Sequence, residues 1–197
     1  MSVESIRVVL IHDPYHIPDN WEMLLTELCG DVRPSLLASD KANAELLRTM
    51  NPHRIVAVTP IAPEIFTDLM ESIPILAAES ALESFMQAFG GCCETVSAEE
   101  DHYLMHDGVG LWTGFAEPIE VEGYPSTAPD QSELPPKLVV TAWNDERVAL
   151  ALSHRMLPMV ALNFHPDDLG EKLGRELLMA FLEGIYLADT PTGPPEV

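Results

Sequence analysis

A chain of 197 residues, 47% of them hydrophobic, is long enough for one domain with a full core. Its formal charge of −22, from 32 acidic and 10 basic residues, argues against nucleic acid as a partner. No run of 18 apolar residues predicts a membrane span, and residues 1–7 lack the pattern of a signal peptide. We therefore expect a cytoplasmic protein.

Strands and helices alternate over the first half of the chain. The predicted strands are 7–11, 32–37, 54–58 and 73–78. The predicted helices run from Asp19 or Asn20 to Gly30, from Asp40 to Met50, and after the loop 59–63. This alternation predicts parallel βαβ units with right-handed crossovers, in which ligand sites lie at the carboxyl ends of the strands. The loops after Ile11, Val58 and Ala78 are therefore candidate walls of a site.

The stretch 74–91 predicts a strand, a sharp turn and a helix. Ser80 and Glu83 have the spacing of a capping box, so we expect the helix to begin at Ser80 and to end at Gly90. The apolar face of this helix recurs at i, i+3, i+4 and i+7 as Leu82, Phe85, Met86 and Phe89. Such an elbow holds the nucleophile in many α/β enzymes. A nucleophile here is normally Ser or Cys, and the residue at the turn is Glu79.

The second half predicts a less regular arrangement. Residues 95–127 contain short segments and a His106-Asp107-Gly108 turn, and the acidic, Pro-rich residues 128–136 are predicted to form an exposed loop. The remaining predictions are a hairpin of 138–143 and 147–153, a strand over 159–164 and a helix over 171–187. We expect one domain over residues 1–188, followed by a mobile Pro-rich tail over 189–197.

The three cysteines offer no ordinary redox or metal motif. Cys92 and Cys93 are adjacent, Cys29 is distant in sequence, and no C-x-x-C spacing is present. We expect all three to be reduced, and we predict no metal site and no cofactor. Because Cys92 and Cys93 follow the predicted end of the elbow helix, neither is placed to act as a nucleophile at Glu79.

Taken in order, these segments resemble the class I (triad) glutamine amidotransferases, most of all the small subunits of anthranilate synthase and aminodeoxychorismate synthase. The segments that carry the resemblance are Pro74-Ile75-Leu76, Gln87-Ala88-Phe89-Gly90-Gly91, His106-Asp107-Gly108-Val109-Gly110-Leu111-Trp112 and Asn163-Phe164-His165-Pro166-Asp167. The resemblance implies a three-layer, flavodoxin-like α/β fold with a mostly parallel sheet, helices on both faces and a small antiparallel portion. It also implies a synthase subunit of the chorismate-using type as partner. The oligomeric state stays open, a homodimer included.

The catalytic positions depart from the family pattern. The resemblance implies a catalytic cysteine at Glu79, a histidine base at His165 and an orienting acid at Asp167, where the family has Glu. The family loop Pro-Gly-Pro-Gly, which supplies an oxyanion N–H, corresponds to Thr59-Pro60-Ile61-Ala62-Pro63, and β-branched Ile61 resists positive φ. The residues expected at the former glutamine pocket are Ile61, Ser80, Glu83, Tyr124 and Ser126.

Three functions remain open on the sequence. The first is a degenerate amidotransferase that stabilises or regulates a synthase, which would make the chain a binding subunit rather than an enzyme. The second is repurposed acid–base chemistry by Glu79 and His165. The third is a small-molecule binding domain in the former glutamine pocket. Glu79 can also be a favourable charge at a helix N-terminus, paired with His165.

Overall fold

The computed structural model describes residues 6–16, 18–30, 33–96, 101–122 and 126–185. The described strands are β1 (Val8–His12), β2 (Ser35–Ala38), β3 (Arg54–Ala57), β4 (Ile75–Ala78), β5 (Cys93–Thr95), β6 (Asp101–His106), β7 (Ile119–Glu122), β8 (Thr127–Pro129), β9 (Leu138–Asn144), β10 (Ala149–His154) and β11 (Met159–Leu162). The described α-helices are α1 (Asp19–Leu28), α2 (Ala44–Met50), α3 (Glu64–Leu69), α4 (Ala81–Ala88) and α5 (Glu171–Glu183).

Nine of the described strands form one sheet in the order β2-β1-β3-β4-β11-β10-β9-β6-β7. The strands from β2 to β11 run parallel, as the connecting helices require. Strands β10, β9, β6 and β7 continue the sheet antiparallel, and β5 pairs with β8 in a separate two-stranded sheet. The predicted α/β fold, with a parallel sheet and an antiparallel portion, is confirmed, and so is the hairpin of β9 and β10.

Helices cover both faces of the sheet. Side chains alternate along β1, so that Val8 and Leu10 face α1 and α5 while Val9 and Ile11 face α2, α3 and α4. The last helix places its apolar stripe on the first face through Leu177, Leu178, Phe181 and Leu182, all of them buried. Burial of each such side chain stabilises the fold by about 1.5–3 kcal/mol relative to exposure.

Several predicted boundaries are wrong, each for a local reason. Asp40 does not open α2 but lies in a one-turn 3₁₀ helix, and α2 begins after Asn43, whose side chain accepts the Leu46 N–H. The helix α1 begins after Pro18 with no side-chain cap, so the predicted cap at Asp19 or Asn20 is not formed. Proline has no N–H for a sheet ladder, and β2 begins after Pro34 and β4 after Pro74.

The segment 128–136 is only in part the exposed loop that its composition predicts, since residues 131–133 and Pro136 are exposed. Ala128 and Pro129 are buried in β8, and residues 131–133 form a short 3₁₀ turn capped by the Asp130 side chain. The strand predicted over 159–164 ends at Leu162 and the last helix ends at Glu183. The tail expected over 189–197 lies outside the described residues.

Candidate functional site

The backbone at the end of β4 makes a sharp elbow at Glu79. This residue has φ +53°, in the left-handed region that non-glycine residues rarely occupy. Its N–H donates to the carbonyl oxygen of Leu162 in the neighbouring strand (2.9 Å), and its own carbonyl accepts the N–H of Leu82 in α4 (3.1 Å). A strained residue of this kind costs on the order of 1–3 kcal/mol and persists only when its surroundings fix it.

Ser80 does not cap α4 as predicted. Its backbone is already helical, with φ −66° and ψ −14°, and no side-chain cap hydrogen bond is formed. The Ser80 hydroxyl instead donates to the carbonyl oxygen of Val58, at a distance of 3.4 Å. The turn itself therefore serves as the start of the helix, and the Ser80–Glu83 capping box is absent.

Helix α1 places a tryptophan directly against the elbow. The indole Nε1 of Trp21 donates to Oε1 of Glu79 at 2.9 Å, and the Trp21 side chain is buried. The same ring packs against the His165 ring in a T-shaped arrangement, with ring centroids 4.7 Å apart and an interplanar angle of 69°. Among the described residues, no hydrogen bond or ion pair joins Glu79 to His165, the pairing that the sequence suggested, and Trp21 contacts both of them.

The two ring nitrogens of His165 are engaged elsewhere. Nδ1 accepts the backbone N–H of Asp167 at 3.1 Å, and Nε2 lies 3.0 Å from the side-chain amide nitrogen of Asn20. The Asp167 carboxylate lies 3.6 Å from Nδ1, longer than a hydrogen bond, and Asp168 accepts the backbone N–H of His165. Burial raises the pKa of Asp168 above its usual value. This arrangement fixes the turn at 165–169 and engages both ring nitrogens of His165.

In the loop that follows β3, the N–H of Ile61 is bonded to a side chain of α4. The N–H of Ile61 donates to the hydroxyl of Ser84 in α4 at 3.1 Å, and both residues are buried. Among the described non-glycine residues, positive φ occurs only at Asn51, Glu79 and Arg147, so Ile61 does not adopt it. The Ile61 side chain packs into the core with α3 and α4. The loop is thus tied to the core.

A cleft of about 430 Å³ opens at the carboxyl ends of β1, β3 and β4. Its described lining residues are Asp13, His16, Pro18, Asn20, Trp21, Val58, Thr59, Glu79 and Ser80. The predicted site walls after Ile11, Val58 and Ala78 do meet there. Of the pocket residues expected from the sequence, Ser80 lines the cleft.

The other expected pocket residues lie elsewhere. Ile61 is in the core, Glu83 is exposed on α4, and Ser126 is exposed beside β8, where its carbonyl accepts the Val96 N–H. Tyr124 lies outside the described residues. The cleft residues that sequence reasoning did not assign to the site include Asp13 and Trp21. It also did not assign Ser84, which bonds Ile61 beside the cleft. The signal for Trp21 was that a buried indole N–H requires an acceptor.

The cysteines are free, and two of them lie at the far end of α4. Cys92 Sγ donates to Glu133 at 3.4 Å, and this hydrogen bond is the main reason that the pKa of the thiol is raised. Burial raises the pKa of Cys93 to about 11. Both thiols are therefore protonated at neutral pH and are poor nucleophiles. Cys92, Asp130 and Glu133 lie within 4.8 Å of one another, close enough to surround a cation, but the protonated thiol already satisfies Glu133.

Comparisons with known proteins agree with this architecture. The sequence profile of the family described as Glutamine amidotransferase class-I matches residues 50–185. Anthranilate synthase component 2 of Porphyra purpurea is 26% identical over 191 residues, which cover 89% of this chain and 99% of that protein. Aminodeoxychorismate synthase of Streptomyces griseus is 46% identical over 78 residues, which cover 40% of this chain and only 10% of that protein.

Solved structures show the same fold. A glutamine amidotransferase from Thermotoga maritima superposes with a TM-score of 0.66 at 11% identity, covering 92% of this chain and 98% of the other. A Thermoplasma acidophilum protein, proposed to be one of the subunits of a GMP synthase, superposes with a TM-score of 0.75 at 16% identity, covering 92% and 95%. Within the described residues, no helix is both long enough and apolar enough to cross a membrane.

Proposed function

The chain belongs to the class-I glutamine amidotransferase family, and on that basis we propose that it is a member without glutaminase activity that stabilises or regulates a synthase subunit. The observation that carries the proposal is the carboxylate of Glu79 at the left-handed elbow, held by the indole of Trp21. The family resemblance implies that a cysteine thiolate stands at this turn and attacks the side-chain amide of glutamine. A carboxylate is a far weaker nucleophile toward an amide, and its acyl product would be an anhydride.

The loop at Ile61 supports the proposal independently. An amidotransferase has to stabilise an oxyanion with N–H groups that point into the site. The Ile61 N–H is bonded to Ser84 instead. Loss of one such donor raises a reaction barrier by about 2.7–4 kcal/mol, so a thiol at position 79 alone would not restore an efficient site.

The surroundings of His165 supply a third, separate argument. A histidine base has to reach the nucleophile directly or through one water molecule. Here Trp21 packs edge-on against the imidazole and donates to Glu79, while Asn20 lies at Nε2. The alternative of acid–base chemistry by Glu79 and His165 therefore gains no support from the geometry.

The partner is inferred from the relatives. One relative is named anthranilate synthase component 2. Another, from Escherichia coli and 31% identical over 115 residues, is named aminodeoxychorismate synthase component 2. We propose that this chain binds a chorismate-using synthase subunit. Because it releases no ammonia from glutamine, such a complex would use free ammonia.

The test is ammonia release from glutamine by the purified chain, alone and with a candidate synthase subunit. We expect the wild-type chain to release no more ammonia than Glu79→Ala in either setting. We also expect the chain to raise the stability or the ammonia-dependent rate of its synthase. Glutamine turnover well above that of Glu79→Ala would contradict the proposal.

A second function is favoured by one observation, the open cleft of about 430 Å³ at the elbow. This volume is within the range of small-molecule sites. A binding role at this cleft is compatible with a subunit role, since neither requires glutamine chemistry. Thermal-shift measurements detect it, because a ligand at 100 times its Kd stabilises the fold by about 2.7 kcal/mol.

A further inference from the structure

The imidazole of His106 is held in one protonation state by its contacts. The side chain is 3% exposed, and Nδ1 accepts the backbone N–H of Gly108 at 3.1 Å. Because Nδ1 accepts that bond only when it carries no proton, the neutral ring has its hydrogen on Nε2. Nε2 is buried and has no hydrogen-bond partner among the described residues. The bond to Gly108 therefore exists only while His106 is neutral.

A second partner for Nδ1 already lies beside the ring. Oε1 of Glu117 is 4.0 Å from Nδ1, which is beyond hydrogen-bond distance, and it accepts the backbone N–H of His106 at 2.5 Å. A carboxylate is a strong acceptor for a protonated imidazole. A proton on Nδ1 would break the bond from Gly108 and draw the ring toward Glu117. The two protonation states of His106 thus have different partners.

The groups that face the ring fix the direction of its response to pH. Burial lowers the pKa of His106, and the charge of Glu117 opposes this effect in part. The other neighbours of the ring are the uncharged side chains of Trp112 and Phe115 and, in the paired strand β9, Ala142. Since the pKa is lowered in the folded state, the stability that the neutral ring contributes is present above about pH 6.5 and is lost as the pH falls.

His154 is a contrasting case in the same chain. It is also buried, its Nδ1 accepts the N–H groups of Met156 and Leu157 at 3.1 and 3.0 Å, and its Nε2 lacks a partner among the described residues. Burial lowers its pKa, and the nearby charge of Lys137 lowers it further. In the described part of the chain, no carboxylate forms an ion pair with His154. Protonation of this ring therefore has no new partner to gain.

From these contacts we propose that His106 and Glu117 form an acid-sensitive latch on the segment 107–118, which joins β6 to β7. At neutral pH the ring accepts the Gly108 N–H and holds the segment closed. When the ring takes up a proton from solvent, Nδ1 becomes a donor, exchanges Gly108 for Glu117 and releases the segment. Strand β7 packs against the 166–169 turn that follows His165, so the latch adjoins the part of the fold that carries this histidine. The latch does not depend on the proposed function.

The test is NMR spectroscopy of the whole chain from pH 7.5 to pH 5, with amide hydrogen exchange at each pH. The ¹⁵N shifts of the imidazole report the protonation of His106, and the Gly108 amide reports the state of the segment. We expect a hydrogen on Nε2 alone at pH 7.5. On acidification the ring should gain a proton while the protection factor of the Gly108 amide falls roughly 10-fold. The Met156 and Leu157 amides, bonded to His154, should keep their protection.

Three variants identify the groups responsible. Glu117→Gln keeps an oxygen for the His106 N–H but removes the charge, so the transition should move to lower pH by roughly half a unit or more. Glu120→Gln removes the same charge from an exposed position on β7 and is the matched control, which should not move it. His106→Asn keeps an acceptor near the position of Nδ1 and takes up no proton, so it should abolish the transition.

Four results would overturn the latch. They are a Gly108 amide that stays protected down to pH 5, a loss of protection throughout the fold at the same pH, an equal shift in Glu117→Gln and Glu120→Gln, and a transition that persists in His106→Asn. The neighbouring Asp107 is tested separately, because burial raises its pKa to about 6. If Asp107→Asn abolishes the transition, that carboxyl group and not His106 is the sensor.

Discussion

The elbow at Glu79 and the turn at His106 share one kind of contact and differ in what else surrounds it. Each adjoins a buried tryptophan whose indole N–H donates to a side-chain oxygen: Trp21 to Glu79 at 2.9 Å, and Trp112 to Thr141 at 3.3 Å. The turn keeps a family-like sequence, and its His106 stacks on Trp112 at 5.2 Å. The elbow has a strained backbone and presents the carboxylate of Glu79, where the family resemblance implies a thiol. The two places thus share a buried tryptophan, but the elbow combines it with a strained backbone and an exposed carboxylate that lines an open cleft.

The largest effects should come from the two tryptophans. Trp112→Ala and Trp21→Ala each remove a buried ring, and we expect each to lower the free energy of unfolding by about 3–5 kcal/mol. Urea unfolding of both variants measures this. Tyr15→Ala, at a side chain that is 96% exposed near the same cleft, is the control and should change stability by less than about 0.5 kcal/mol. If Trp21→Ala lowers the free energy of unfolding by less than about 1 kcal/mol, Trp21 does not stabilise the elbow.

The contact between Ser84 and Ile61 provides the next test. Ser84→Ala leaves the buried Ile61 N–H without its acceptor, so we expect a loss of about 1–3 kcal/mol of stability. Ser126→Ala, at an exposed hydroxyl, is the matched control and should be close to neutral. Equal unfolding midpoints for the two variants would mean that the loop is not tied to α4 as described.

The half-buried Asp107, in the turn at His106, predicts a pH effect. Burial raises the pKa of Asp107 from 3.8 to about 6, so the folded state binds an extra proton between those pH values. The stabilising contribution is present below pH 3.8 and is lost as the pH rises through 6. His106 and His154, whose pKa values are lowered by burial, act in the opposite direction.

Comparison with Asp107→Asn isolates the Asp107 contribution. From pH 4 to pH 7 the wild-type chain should lose on the order of 2 kcal/mol relative to the variant. Unfolding by urea at several pH values measures the difference. Parallel pH profiles for the two proteins would contradict a raised pKa of the Asp107 carboxyl group.

The smallest effect is expected at Glu79 itself. Glu79→Gln keeps an acceptor for Trp21 on an exposed side chain, so stability should change by about 0.5 kcal/mol or less. Glu79→Ala leaves the buried indole N–H unpaired and should cost roughly 1–2 kcal/mol. Thermal unfolding of the two variants gives the difference. If Glu79→Gln is as costly as Glu79→Ala, the charge and not the Trp21 contact holds the elbow.

Much of the fold could be predicted from the sequence, because the pattern of apolar residues indicates which segments form buried strands and helices. Apolar runs at β1, β3 and β4 and the helical period of α4 and α5 are direct signals of burial. Errors arose where one side chain decided a boundary, as at Asn43, which caps α2 after an unexpected 3₁₀ turn. The loop predicted from composition was also wrong at Ala128 and Pro129, because pairing of β8 with β5 buries these two residues.

The site was less predictable, because its geometry depends on contacts between elements distant in sequence. The sequence placed Glu79 at a turn and brought the loops after β1, β3 and β4 together. It did not predict that Trp21, 58 residues away, would donate to Glu79 and contact His165. A tryptophan at the start of an amphipathic helix reads as a core residue, and only the fold shows which acceptor its N–H meets.

The central claim is that the elbow has lost more than its nucleophile, and Glu79→Cys tests it most directly. Glutamine hydrolysis by this variant, measured as ammonia release alone and with the synthase subunit, compares a thiol at the turn with the native carboxylate. We predict no release above the wild-type level, because the Ile61 N–H donates to Ser84 and both ring nitrogens of His165 are engaged by Asn20 and by the Asp167 N–H. Restoration of steady glutamine turnover by this single substitution would contradict the account.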